Sequence, residues 1–282
     1  MQINHISTVY FSPTMTTRKI VNKISGLIAV NFNVSRDQIS ISTPKDRKKP
    51  LVFKKGELVV FGLPVYGGRI PSLLIDYLNT IEGNGALCVP VCVYGNRSVG
   101  DALSEHCGIM KKMGLNCIAA GSFVAEHSFS SEIATGRPDM DDVQFCAKFS
   151  KAIIDKIEKT DSIKDFKPFT TPGKSYKEIQ EDDAKAAEAA KDTPKAAAKK
   201  KVVPVTDDLC SYCGYCINIC PTGAINPKNP KDIIGDCIHC YACIRYCPSH
   251  SKSFADPEYN AHIKDIIKYC NAPGYSKPEF YI

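Results

Sequence analysis

Eight of the fourteen cysteines fall near the C-terminus into two copies of one spacing, C-x2-C-x2-C-x3-C-P. The first copy is Cys210, Cys213, Cys216 and Cys220, followed by Pro221; the second is Cys237, Cys240, Cys243 and Cys247, followed by Pro248. Each cysteine has its counterpart 27 residues later, so the unit is duplicated. Structural zinc sites use paired C-x2-C knuckles with a longer insert between them, not three thiols in one tight run. A disulfide framework fits no better. The opening MQINHISTVY reads as a strand rather than a secretory leader. The other six cysteines, Cys88, Cys92, Cys107, Cys117, Cys146 and Cys270, have no framework spacing. Cys88 and Cys92 lie in an apolar run and read as buried core. Reduced thiols point to a cytoplasmic protein.

The double run resembles that of bacterial two-cluster ferredoxins, in which the fourth cysteine of each run ligates the other run's cluster. Three close thiolates wrap three corners of an iron–sulfur cube, and the remote Cys-Pro supplies the fourth. The resemblance therefore implies two [4Fe–4S] clusters. One is held by Cys210, Cys213, Cys216 and Cys247, the other by Cys237, Cys240, Cys243 and Cys220. Small residues between ligands, such as Gly214 and Ala242, let the backbone approach the sulfides.

At 282 residues the chain is too long for such a domain alone. Residues 3–11 form an alternating apolar strand, followed by Ser12-Pro13-Thr14-Met15-Thr16-Thr17 and then Ile20, Val21, Ile24, Leu27 and Ile28 at helical spacing. Hydroxyls beside a helix N-terminus suit a phosphate, although Ser/Thr-Pro turns also serve simply as helix caps. Residues 36–42 and 57–63 read as strands. The second of these runs into Pro64-Val65-Tyr66-Gly67 ahead of a helix carrying Leu73, Leu74, Tyr77 and Leu78. A strand over 86–94 ends in Tyr94-Gly95-Asn96-Arg97. A helix over about 98–113, a fifth strand over about 116–125 and a last helix over about 140–159 complete the alternation. Five strands alternating with helices predict an α/β doubly wound parallel sheet.

On these residues the N-terminal part resembles a flavodoxin, which implies strand order 2-1-3-4-5 and FMN at the carboxyl ends of the strands. By that resemblance Ser12, Thr14, Met15, Thr16 and Thr17 hold the phosphate. Pro64, Val65, Tyr66, Gly67 and Tyr94, Gly95, Asn96, Arg97 flank the flavin ring, while Tyr66 and Tyr94 also fit as ordinary rim aromatics. Met15 departs from the family, which usually carries glycine there. The whole chain, including Glu126-His127-Ser128 and Gly136-Arg137-Pro138-Asp139, is similar to flavodoxin–ferredoxin fusion proteins of anaerobic bacteria and archaea. A lone loop histidine such as His127 is either at the flavin edge or simply a surface hydrogen-bonding group.

The expected organisation is a flavodoxin-like FMN-binding domain over 1–160, a charged Ala/Lys-rich linker over 161–204, and a small α+β ferredoxin domain over 205–282. The linker, ending in Lys199-Lys200-Lys201, reads as a solvated helical or flexible tether. A stretch around His262, Ile263, Ile266 and Ile267 reads as a helix over the clusters or the domain seam. The formal charge of +6 is offset by about −4 from two ligated cubes and about −2 from an FMN phosphate, so basicity does not argue for a nucleic-acid partner. No apolar stretch approaches the roughly 20 residues of a membrane span. The expected role is electron transfer coupling FMN to two low-potential clusters, with redox proteins as partners. The alternative is an FMN-dependent reductase of a small molecule, fed through the clusters. No Gly-x-Gly-x-x-Gly follows a strand, and no acid–base constellation stands out.

Overall fold

The computed structural model describes residues 2–191 and 201–282. Its N-terminal half alternates β1 (His5–Tyr10), α1 (Thr16–Phe32), β2 (Ser35–Ser40), β3 (Glu57–Pro64), α2 (Ile75–Leu78), β4 (Leu87–Tyr94), α3 (Ala102–Lys112), β5 (Asn116–Cys117), β6 (Ala120–Val124) and α4 (Met140–Glu158). The rest carries α5 (Tyr176–Lys191), β7 (Val205–Thr206), α6 (Tyr215–Ile219), α7 (Ala242–Arg245), β8 (Lys252–Ser253), α8 (Pro257–Asn271) and β9 (Glu279–Tyr281). The main sheet runs β2-β1-β3-β4-β6-β9, with β5 also on β4. All its pairings are parallel except that of β9. This is the doubly wound 2-1-3-4-5 order of flavodoxin-like sheets, in which ligands bind where the order reverses, between β1 and β3.

Strand composition follows position. β4, LCVPVCVY, is buried at every residue because helices cover both its faces. Within β3, Leu58 and Val60 join α1 and α4 in one core, whereas Val59, Phe61 and Leu63 join α3 in the other. The period of two thus splits one apolar run between two layers. Cys88 and Cys92 are buried in the second core. β2, SRDQIS, is polar because it is an edge strand. At α4, Asp139 and Asp142 form a reciprocal capping box that fixes the helix start.

The sheet differs from the expected five strands in two places. The fifth strand is interrupted at 118–119, where the Ile118 carbonyl accepts from Lys156 Nζ at 2.8 Å instead of from a neighbouring strand. In addition, β9 pairs antiparallel with β6, with Ala120 opposite Tyr281, and Phe280 stacks on Phe149 at 5.1 Å. Sequence pattern misses β9 because three residues show no period.

The segment expected as a tether is partly docked. Ile179 of α5 is buried, Tyr176 lies against Gly108, and Asp183 pairs with Arg69 at 2.9 Å. Lys199 and Lys200 lie outside the described residues. Lys201 pairs with Asp236 at 2.7 Å. The expected helix around His262 is α8. Among the described residues no helix is long and apolar enough to cross a membrane.

Candidate functional site

A cavity of about 270 Å³ opens at the carboxyl ends of β1, β3 and β4. Ser12, Thr14, Thr16, Thr17, Pro64, Val65, Tyr66, Gly67, Tyr94 and Gly95 line it. It is therefore walled by the loops after three strands, at the switch point. At its floor α1 begins without a side-chain cap. Ser12 Oγ accepts from Arg18 N at 3.1 Å, and Ser12 N donates to Ser42 Oγ at 2.9 Å, so that hydroxyl is spent on the loop itself. The amides of Thr16 and Thr17, at the first two helical positions, have no intrahelical acceptor. Among the described residues the hydroxyls of Thr14, Thr16 and Thr17 also find no protein partner, although Thr17 is buried. Free donors on an uncapped helix start suit an anion such as a phosphate.

Met15 is not part of the cavity wall. It occupies the N-cap with φ 64, a left-handed conformation that glycine adopts more readily. The chain thus keeps the backbone shape at this position without the usual residue, at a cost of about 1 kcal/mol. Asn96 and Arg97 also lie outside the wall. Asn96 is buried, and its amide donates to the Cys270 and Gly274 carbonyls at 2.9 and 2.8 Å while its oxygen accepts from Ser276 N at 3.1 Å. Arg97 sits 4.4 Å over the Tyr269 ring. Both residues hold α8 and the segment after it against the β4 loop.

Five wall residues come from the loop after β6, among them Glu126, His127 and Phe129. A Cβ on Gly95 would stand 2.1 Å from His127 Cδ2, so glycine is needed there for the imidazole to pack. Burial lowers the His127 pKa to about 4. Its Nδ1 accepts from Phe129 N at 3.1 Å, which assigns the ring hydrogen to Nε2. Burial also raises the Tyr66 pKa, with the Cys240 charge adding to it, so the phenol stays protonated. Ile238 and His239 close the wall. Both stand between Cys237 and Cys240 of the second run, where spacing alone gives them no role beyond the loop between two thiols. Only the adjacency of the two regions reveals their second role.

The eight motif cysteines separate into two groups, each enclosing its own small cavity. Cys210, Cys213, Cys216 and Cys247 line one; Cys220, Cys237, Cys240 and Cys243 line the other. The fourth cysteine of each run therefore faces the opposite run. The thiols surround a space rather than converging on one point. Among the described residues no three His, Cys, Asp or Glu are placed to hold a single metal ion. Left-handed residues recur at the duplication interval, Tyr212 with His239, Gly214 with Tyr241 and Gly223 with His250. Hydroxyls recur too: Thr222 Oγ1 lies 3.6 Å from Cys220 Sγ, and Ser249 Oγ 3.6 Å from Cys247 Sγ. Ala224 N donates to Cys220 Sγ at 3.3 Å. Burial pushes the Cys240 and Cys243 thiols up to about 12. A thiolate at such a site needs a cation beside it, which the iron of a cluster supplies. For Cys247 burial acts upward, but hydrogen bonds from Ser251 and Ser249 outweigh it and hold the group at about 7.

Residues 209–251 match the family model of the 4Fe-4S dicluster domain. The chain has a flavodoxin–ferredoxin architecture. Its flavodoxin-like part is similar to a flavodoxin from the domain Archaea, at 17% identity over 55% of this chain and 99% of that one, with a TM-score of 0.39. It is also similar to rubredoxin oxygen:oxidoreductase from the anaerobe Desulfovibrio gigas, at 12% identity over 56% of this chain and 37% of that longer one, TM-score 0.40. The apo NADH:FMN oxidoreductase EmoB matches at 14% identity over 57% and 92%, TM-score 0.41. Overlaps this loose add nothing to the strand order and register, on which the fold assignment stands.

The two parts meet at the cavity. Arg245 of α7 forms an ion pair with Glu126 and donates to the His127 carbonyl at 3.1 Å. Tyr246 donates to the Thr14 carbonyl at 2.9 Å, and Arg47 to the Pro221 carbonyl at 2.6 Å. Tyr241 packs on Phe129 with ring centroids 5.1 Å apart.

Proposed function

We propose that this protein transfers electrons by coupling one FMN to two low-potential [4Fe–4S] clusters. The observation that carries the reading is the shared wall: the cavity at the β1–β3 switch point is closed by Ile238 and His239 of the second cysteine run. Thr14, Thr16 and Thr17 would hold the FMN phosphate, with Ser12 shaping their loop. Pro64, Val65, Tyr66 and Gly67 on one side, with Tyr94 and Gly95 on the other, would flank the ring. Met15, Asn96 and Arg97 would act indirectly, the first through backbone shape and the other two by holding the C-terminal segment. Cys210, Cys213, Cys216 and Cys247 would ligate one cube, and Cys237, Cys240, Cys243 and Cys220 the other. Bound there, flavin supplies one- or two-electron chemistry and each cube one-electron chemistry, so the set can collect or split electron pairs.

The protein's share is placement and exclusion of water. Tyr241, Phe129 and Ile238 put apolar surface between the two kinds of site, and Arg245 with Glu126 pins the two parts together. The domain organisation that fits is a flavodoxin-like part over 1–160, a connector over 161–204 and a ferredoxin part over 205–282, with redox proteins as partners. The test is anaerobic purification followed by flavin and iron assays. One flavin and about eight irons per chain are expected. Absence of flavin would overturn the coupling, and about four irons would overturn the second cluster.

A further inference from the structure

The two cysteine groups stand differently toward the flavin cavity. Ile238 lines both that cavity and the one enclosed by Cys220, Cys237, Cys240 and Cys243. Among the described residues, the cavity of Cys210, Cys213, Cys216 and Cys247 shares no lining residue with the flavin cavity. A further contact agrees. Phe129, on the flavin wall, packs on Tyr241, which lines the second group's cavity. On the outer side, Cys213 is exposed, as are its neighbours Tyr212 and Tyr215.

We infer that the group Cys220, Cys237, Cys240 and Cys243 is the flavin-proximal one, and that Ile238 is the side chain separating it from the flavin ring. The group Cys210, Cys213, Cys216 and Cys247 is the distal one, and its exposed Cys213 marks where electrons cross the protein surface. The order follows from the chain's own residues: one side chain forms a common wall between the flavin cavity and the second group, and among the described residues none does so for the first. Electron tunnelling falls steeply with distance, so the shared wall sets the path. This inference rests on the proposal that flavin and clusters occupy these sites.

The test is electron paramagnetic resonance on the anaerobic, partly reduced holoprotein, reading how readily the flavin signal saturates with microwave power. A neighbouring reduced cluster speeds relaxation of that signal, and a remote one does so weakly. Cys213→Ala, at an exposed position, is expected to keep the fast relaxation of the unmodified protein. Cys243→Ala is expected to lose it. Loss in Cys213→Ala would overturn the assignment, and so would retention in a Cys243→Ala protein whose distal cluster alone remains. Ile238→Ala changes no ligand and keeps the question decidable if a cysteine variant fails to fold. It should shift the flavin absorption band and leave the distal cluster's resonance unchanged; an unmoved flavin band would count against the shared wall. A holoprotein without flavin, or with one cluster, would instead overturn the underlying function.

Discussion

The two cysteine runs have one backbone and two surroundings. Left-handed residues recur at the same interval, and each Cys-Pro is followed by a hydroxyl residue, Thr222 or Ser249, near its sulfur. The residues between the ligands diverge. Where the first run has Gly214 in the left-handed conformation, the second has Tyr241 with φ 62. A side chain there costs about 1 kcal/mol, and the Tyr241 ring recovers contact with Phe129 and Phe254 at 5.1 and 5.0 Å. The group Cys210, Cys213, Cys216 and Cys247 has instead the buried Lys252 on its cavity wall, whose Nζ donates to Thr206 Oγ1 at 2.6 Å and the Pro230 carbonyl at 2.7 Å. Duplication specifies the cage, and the intervening side chains decide what each cage faces.

The largest effect should come from breaking the crossed ligand sets. Cys220→Ala, although in the first run, should cost the cluster of the second, and Cys247→Ala that of the first. In each case iron should fall by about half, with the other cluster's resonance intact. Loss of the same-run cluster would reject the crossing.

Acid should act next, through His106 and His127, the latter on the cavity wall that the second run closes. Burial lowers the His127 pKa to about 4 and the His106 pKa to about 3, whereas an unfolded histidine titrates near 6.5. Their folded values lie below the unfolded one, so the unfolded chain takes up protons first as pH falls. These groups therefore cost no stability above about pH 6.5, and stability drops as pH falls from there through about 4 for His127 and about 3 for His106, on the order of several kcal/mol in all. Urea midpoints at about pH 7 and about pH 5 measure the slope, and His127→Asn should flatten part of it. An unchanged slope in that variant would contradict the burial of His127.

A smaller loss, about 1–3 kcal/mol, is expected from Arg245→Ala, which removes the cation beside a sheltered Glu126 and leaves it only the Gly136 N–H. It should loosen the seam at the second run alone, read as a lower thermal midpoint and a shifted flavin band. Smallest is Lys252→Met. Removing a buried cation disfavours the extra negative charge of the reduced cluster, so the first set's potential should fall by on the order of 50–100 mV while the second's moves less. Equal shifts at both clusters would erase the distinction between the two surroundings.

The sequence makes the cages and the sheet readable for physical reasons. Cysteine spacing is local, and buried parallel strands such as β4 are continuous apolar runs that stand out. What it hides is non-local. Asn96 and Arg97 look like ring-flanking loop residues until the distant Cys270, Gly274 and Tyr269 occupy them. The charged segment around Ile179 looks like a free tether, since a single buried apolar residue gives no amphipathic stripe. Ile238 and His239 lie in a cysteine loop, and nothing local says that the loop closes a cavity in the other half of the chain.

The central claim, one flavin working with two clusters in a single chain, is tested most directly by counting electrons. Anaerobic titration of the holoprotein with dithionite, followed by its visible spectrum, should consume about four electron equivalents per chain, two at the flavin and one at each cube. Uptake of about two, confined either to the flavin or to the clusters, would contradict the account.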